Sequence, residues 1–152
     1  MKQKVALDTA ATYILEECRM VLPGIQALFG FQLIAVFSDG FGEKLSSAQQ
    51  WLHLAAILLV VAAIALVMAP AALHRQTQRE EISARFVRVA SNLLLASMFP
   101  LVLGLCLEVY LVAALITKNE ALALAIALAA AGLFAFLWLA LPRRERALRP
   151  RL

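Results

Sequence analysis

Residues 121–141 read ALALAIALAAAGLFAFLWLAL. The run holds no charge, and its alternation of alanine with larger residues hints at the period of two that marks a strand. Strands are short, however, and about 20 uninterrupted apolar residues match the thickness of a bilayer when coiled as a helix. The rest of the chain shares this character. It is 63% hydrophobic, with a mean hydropathy of +0.84, against about 45–50% apolar residues in soluble domains. The 152 residues are read as one all-α membrane domain, a four-helix bundle with a Pro-bent amphipathic first helix. The helices are expected at about 10–37, 49–69, 82–116 and 121–141, followed by a basic tail, 142–152.

Working outward, Pro142 closes the fourth helix and Thr117–Glu120 forms a tight turn before it. Ala127, Ala131 and Ala135 make a small-residue row suited to close helix packing. The third helix carries Pro100 and Gly104 as interruptions. At about 100° per residue, Arg85, Arg88, Asn92, Phe99 and Leu103 share one side, and Ser97, Gly104 and Glu108 another. The second helix is expected to stop before Pro70, with Ala55, Ala62 and Ala69 repeating every seven residues. Trp51 stands where an interfacial aromatic belongs. Between the first two helices, SDGFGEKLSSAQQ (38–50) is a polar loop.

The first helix is the most polar. Residues 16–31 read EECRMVLPGIQALFGF. Asp8 or Thr9 is placed to cap a helix starting near Ala10. From there to Phe37 exceeds one untilted crossing, and Pro23, followed by Gly24, supplies a bend by withholding a donor from the carbonyl of Arg19. Arg19, Gln26 and Gly30 project to nearly one side, with Glu16 a turn from Arg19. Glu17 lies in line with Gly24.

The charge pattern orients the chain. Eleven of fourteen Lys and Arg residues fall in the N-terminus, the second loop with the start of the third helix, and the C-terminus. Only Lys44 and Lys118 lie on the other side, so both termini are expected in the cytoplasm. The same bias disfavours a dual-topology dimer. The net charge of +4 reflects this flanking pattern rather than nucleic-acid binding, for which aromatic-basic interleaving is missing. The polar N-terminus is read as retained rather than as a cleaved signal. Cys18 and Cys106 fall near opposite faces of the bilayer, too far apart for a disulfide.

Two constellations carry possible chemistry. At the membrane edge, Glu16, Glu17 and Arg19 either begin an ion or proton pathway or anchor the helix by pairing with Arg85 or Arg88. Deeper in, Glu108 and His53 stand at similar depth near the outer ends of the third and second helices. Carboxylates in low dielectric hold protons more readily, which suits reversible protonation. The plainer reading is one structural hydrogen bond from Glu108 to His53 or Gln32. His74-Arg75 reads as a helix-end cap and headgroup anchor. No metal, haem or cofactor site is expected, because His53 and His74 lie on opposite sides and no HxxxH or CxxC spacing occurs. No nucleophile elbow suggests an enzyme.

Glu17, Arg19, Leu22-Pro23-Gly24, Gln26, Leu28-Phe29, Phe31 and Leu33 resemble the first-helix signature of an uncharacterised family of short bacterial four-helix membrane proteins, sometimes labelled sodium:proton antiporter. Pro70, His74-Arg75, Arg88, Asn92 and Leu141-Pro142 are similar to that family's later landmarks, so the likeness spans roughly 8–142. It implies a multi-pass protein of the bacterial inner membrane and, through the label, movement of H⁺ or Na⁺. Established antiporters use paired inverted repeats; with no internal repeat here, such a path requires an oligomer. Small multidrug transporters also place a carboxylate in the first of four helices, but deeper and without this charge bias. Two functions follow: a small oligomeric ion-translocating protein, antiporter- or channel-like, or a non-transporting structural or accessory subunit of a larger membrane complex. The candidate pathway is Glu108, Glu17, Arg19, Gln26, Gln32 and His53.

Overall fold

The computed structural model describes residues 6–77 and 82–148. The basic N-terminal residues, part of the second loop and the end of the basic tail lie outside these. Among the described residues the protein is all-α, and four long apolar helices packed as a bundle are each long and apolar enough to cross a membrane. It is therefore a multi-pass membrane protein by composition and helix length.

Helix α1 runs Leu7–Val36, α2 is the short Phe41–Lys44, α3 is Ser47–Thr77, α4 is Ala84–Thr117, α5 is Glu120–Ala135, and α6 is Leu141–Leu148 after a π-helical turn, Phe136–Ala140. At ~1.5 Å per residue, α1, α3 and α4 each exceed the ~30 Å apolar slab, so their ends reach the headgroup zone.

Several boundaries differ from the sequence reading, each for a local reason. The first helix starts at Leu7 with Ala6 as an N-cap that offers no side chain, and Asp8 lies inside its first turn. There its charge suits the helix dipole. Pro23 sits within α1, where the sequence placed it. The 38–50 loop contains α2, and α3 begins earlier than expected because Ser46 and Gln49 form a capping box. The Ser46 N–H donates to Gln49 Oε1 at 3.0 Å, and the Gln49 N–H donates to Ser46 Oγ at 3.3 Å. Pro70 does not end α3, which continues to Thr77. A proline costs one backbone bond and a clash, and the buried seat of Pro70 supplies packing against that cost. Pro142 likewise lies inside a helix. The π turn before it widens the backbone, and the Leu141 N–H donates to the carbonyl of Phe136, five residues back, relieving the crowding that a proline ring imposes on the preceding turn.

Buried positions recur every seven residues. On α1 they are Ala11, Cys18, Ile25 and Gln32. On α3 they are His53, Ala56, Val60, Ala63, Val67 and Pro70, spaced alternately by three and four. On α4, Ala90, Ser97, Gly104 and Leu111 follow the same step. A strict seven-residue seam is the signature of left-handed knobs-into-holes packing. The small-residue rows expected from sequence are thereby shifted. Ala62 is exposed and the buried α3 row is Ala56–Ala63; on α5, Ala123 and Ala127 are buried while Ala135 is exposed. One position is a turn of about 100°, and sequence spacing alone does not set the phase.

The chain divides into two compact units, Met1–Ser38 with Ile57–Leu101, and Asp39–Ala56 with Val102–Leu152. In the first, Cys18 and Ile25 of α1 pack with Val60 and Val67 of α3 and Leu94 of α4. Toward the start of α1, Ala11 packs with Phe86 and Ala90, joined by Leu73 and Ile82. Ser83 caps α4, its Oγ accepting from the Phe86 N–H at 3.2 Å. In the second unit, Ala113, Ala114 and Ala123 join α4 to α5, with Tyr110 against them. The chain reverses there through Lys118 at φ 52°, and Asn119 Oδ1 accepts from the Leu122 N–H at 3.1 Å. Cys18 and Cys106 are both free thiols.

Among the described residues, eight of the fifteen buried apolar residues are alanine, whereas Phe31, Leu58, Phe99, Ile116 and Leu128 are exposed. Small residues inside and large apolar ones outside suit a lipid solvent, where close backbone approach rather than apolar burial drives helix association.

Ser46→Ala is expected to destabilise the protein by about 1 kcal/mol, while Ser47→Ala, lacking a capping role, leaves stability unchanged. Unfolding in mixed micelles followed by circular dichroism measures the difference.

Candidate functional site

The second unit places one histidine against one carboxylate. His53 lies on α3 six residues past Ser47, and Glu108 lies on α4 nine residues before Thr117. His53 Nδ1 is 3.0 Å from Glu108 Oε1 and 3.3 Å from Oε2. The imidazole nitrogen thus faces both carboxylate oxygens. The His53 side chain is 6% exposed and that of Glu108 19%, so the carboxylate is the more accessible partner.

Local structure explains the placement. The Ser46–Gln49 box starts α3 with His53 on its inward seam. Gln50 Nε2 donates to the carbonyl of Leu45 at 3.0 Å and ties down the approach to the helix. On the other side of that link, α2 carries Phe41, whose ring meets the His53 imidazole edge-on, with centroids 5.2 Å apart and planes at 61°. Edge-to-face contact is a favoured aromatic geometry. Phe41 therefore covers the histidine while Glu108 holds its Nδ1.

The pair has two neutral arrangements. With a proton on each imidazole nitrogen and none on the carboxylate, the Nδ1–H donates to Glu108 in a charge-assisted bond. With Glu108 protonated and the imidazole neutral, the carboxyl O–H donates to Nδ1. Both carry the same single extra proton, and removing it leaves one negative charge. Charge without compensation is costly at membrane depth.

The other sequence candidates lie elsewhere. Gln32 is buried at the end of the α1 seam, in the first unit. Glu16, Glu17, Arg19 and Gln26 are all exposed on α1, as are Pro23 and Gly24. Arg85, Arg88 and Asn92 are exposed on α4. Among the described residues no ion pair joins Glu16 to Arg19, or Glu16 or Glu17 to Arg85 or Arg88; all of these side chains are exposed. His74 is half-buried with its ring 5.7 Å from that of Phe86, and Arg75 beside it is exposed. Gly104 is buried on the same α4 face as Ser97, and Pro100 is half-buried. Ser97 Oγ donates to the carbonyl of Leu94 at 2.6 Å. Phe41 went unrecognised in the sequence because it sits among loop-forming residues. The S-x-x-Q pattern at Ser46–Gln49, just before Trp51, was the signal that could have drawn attention to this end of α3.

The profile of the family described as "Family of unknown function (DUF6328)" matches residues 2–142. No curated protein and no solved structure matches the chain.

Removing one member of the pair should cost more than removing both. His53→Leu leaves the Glu108 carboxylate without its imidazole partner and is expected to destabilise by about 3 kcal/mol. In the His53→Leu/Glu108→Leu double variant, much of that loss is recovered. A double-mutant cycle on unfolding in mixed micelles measures the coupling.

Proposed function

We propose that this chain, which belongs to the DUF6328 family of unknown function, is a small ion-translocating protein in which the His53–Glu108 pair binds and releases a proton, or exchanges it for a monovalent cation. The observation that supports this reading is the 3.0 Å contact between a buried imidazole and a carboxylate within apolar spanning helices. Such a pair is costly to bury and replaceable by apolar residues when its role is purely structural. Histidine changes charge near neutral pH, and a bound cation substitutes for the shared proton without changing the total charge. Phe41 shields the imidazole, while the more accessible carboxylate is the face at which the ion is exchanged.

In this reading both termini are cytoplasmic, as the lysine and arginine bias suggests, and the resemblance to short bacterial membrane proteins points to a bacterial inner membrane. In that orientation the pair lies toward the outer ends of α3 and α4. Translocation requires a continuous polar route, and assembly of several copies is part of this reading.

A second reading is a non-transporting structural or accessory subunit of a larger membrane complex. It is favoured by one observation: Glu17, Arg19 and Gln26 are exposed on α1, away from the inward seam. Co-purification at fixed stoichiometry with a larger complex, together with inert proteoliposomes, supports it.

For the transport reading, protein is reconstituted in liposomes carrying a pH-sensitive dye, and a pH or Na⁺ gradient is imposed. The wild-type chain should dissipate the gradient faster than protein-free vesicles. Glu108→Gln, which keeps the side chain's shape but loses its charge, should lower the rate by about tenfold or more. Equal rates for Glu108→Gln and wild type, or wild-type rates equal to empty vesicles, reject transport through this pair.

A further inference from the structure

The last span carries its charge out of the apolar slab without a break in the helix. From Glu120 to Leu148 the backbone is helical throughout, because the π turn Phe136–Ala140 leads α5 into α6 and past Pro142. At ~1.5 Å per residue, Ala121–Leu141 fills the roughly 30 Å hydrocarbon core. Arg143, Arg144 and Arg146 follow within about 8 Å of Leu141 along the axis, which is the depth of the headgroup layer. Residues 143–152 read RRERALRPRL, with five arginines, one glutamate and no lysine. The Arg143 and Arg144 side chains are exposed. Just before α6, half-buried Trp138 meets Phe134 edge-on, with ring centroids 5.0 Å apart and planes at 63°. That contact steadies the indole at the end of the span, where tryptophan marks the border between acyl chains and headgroups.

The chain cannot neutralise these arginines by itself. With four crossings, the sequence assigns residues 1–19, 74–88 and 142–152 to one membrane face. Those segments hold twelve Lys and Arg residues against six Asp and Glu. This excess is fixed by the sequence and holds for any arrangement of the four helices. At headgroup depth the anion at hand is a lipid phosphate. A guanidinium group is planar, always charged and able to hold two phosphate oxygens at once, whereas an ammonium acts as a point charge. We propose that the end of α5 and α6 form a binding site for anionic phospholipids, with the headgroup phosphate on the tail arginines, Arg143 and Arg144 foremost, and the acyl chains against Trp138. A cluster of basic residues directly after a span, on a helix that stays intact through the interface, suits that ligand.

The proposal is tested with the full chain in vesicles of equal parts phosphatidylcholine and phosphatidylglycerol, with bromine on the acyl chains of one lipid or the other. Trp51→Phe leaves Trp138 as the only indole, and its quenching reports which lipid lies beside it. Brominated phosphatidylglycerol should quench as if enriched about threefold over its share of the bilayer. Arg143→Gln with Arg144→Gln should lower the enrichment by about half, and replacing all five tail arginines by glutamine should abolish it. Glutamine is a good helix former, so α6 is retained. In the Trp138→Phe chain, Trp51 at the start of α3 should show no such preference. Excess inorganic phosphate at constant ionic strength should leave the enrichment in place. No enrichment at Trp138, equal enrichment at Trp51, or persistence without the five arginines overturns the proposal. Loss of enrichment to inorganic phosphate makes this a site for the free ion and likewise overturns it.

Discussion

In a bilayer, apolar side chains gain nothing by leaving lipid for protein, so helices associate through close fit and through the polar groups that lipid cannot satisfy. The seven-residue seams of α1, α3 and α4 meet that demand. Alanine, glycine and serine on the seams let backbones approach, and the bulky residues are turned outward. A step of seven on a helix of 3.6 residues per turn drifts by about 20° per repeat, so the helices must wind around one another to keep their seams together. The length of α3, its passage through Pro70 and the inward aim of His53 all depend on that seam continuing.

The histidine–carboxylate pair is a consequence of the same geometry. His53 occupies a seam position that alanine, valine and proline fill elsewhere on α3, and Glu108 lies on the α4 side shared with Ser97 and Gly104. Two seams meeting face to face leave little choice but to bring an ionisable group on one against the other. Backbone capping at Ser46–Gln49 sets where α3 begins and so where His53 points, and α2 then folds Phe41 against the ring. The chemistry available to the pair follows from its shared proton and its apolar surroundings rather than from any catalytic constellation.

Helix α1 differs because it presents polar residues on two sides. Its inward seam ends in Gln32, and its exposed residues include Glu16, Arg19 and Gln26.

The sequence by itself determined what depends on composition and on short-range order. Twenty apolar residues at Ala121–Leu141 and three comparable runs specify spanning helices, since backbone groups must be satisfied internally in lipid. The tight turn before α5 and the similar depth of His53 and Glu108 also follow from distance along a helix. The phase of each helix does not. Ala55–Ala62–Ala69 and Ala56–Ala63 are equally plausible rows on paper, 100° apart, and only packing in the folded chain buries the second. Whether prolines end helices was likewise decided in three dimensions, by the buried seat of Pro70 and the π turn before Pro142. The meeting of His53 with Glu108 required the register of two helices whose partners lie 55 residues apart in the chain. Local sequence carries no term for that separation, and packing supplies it.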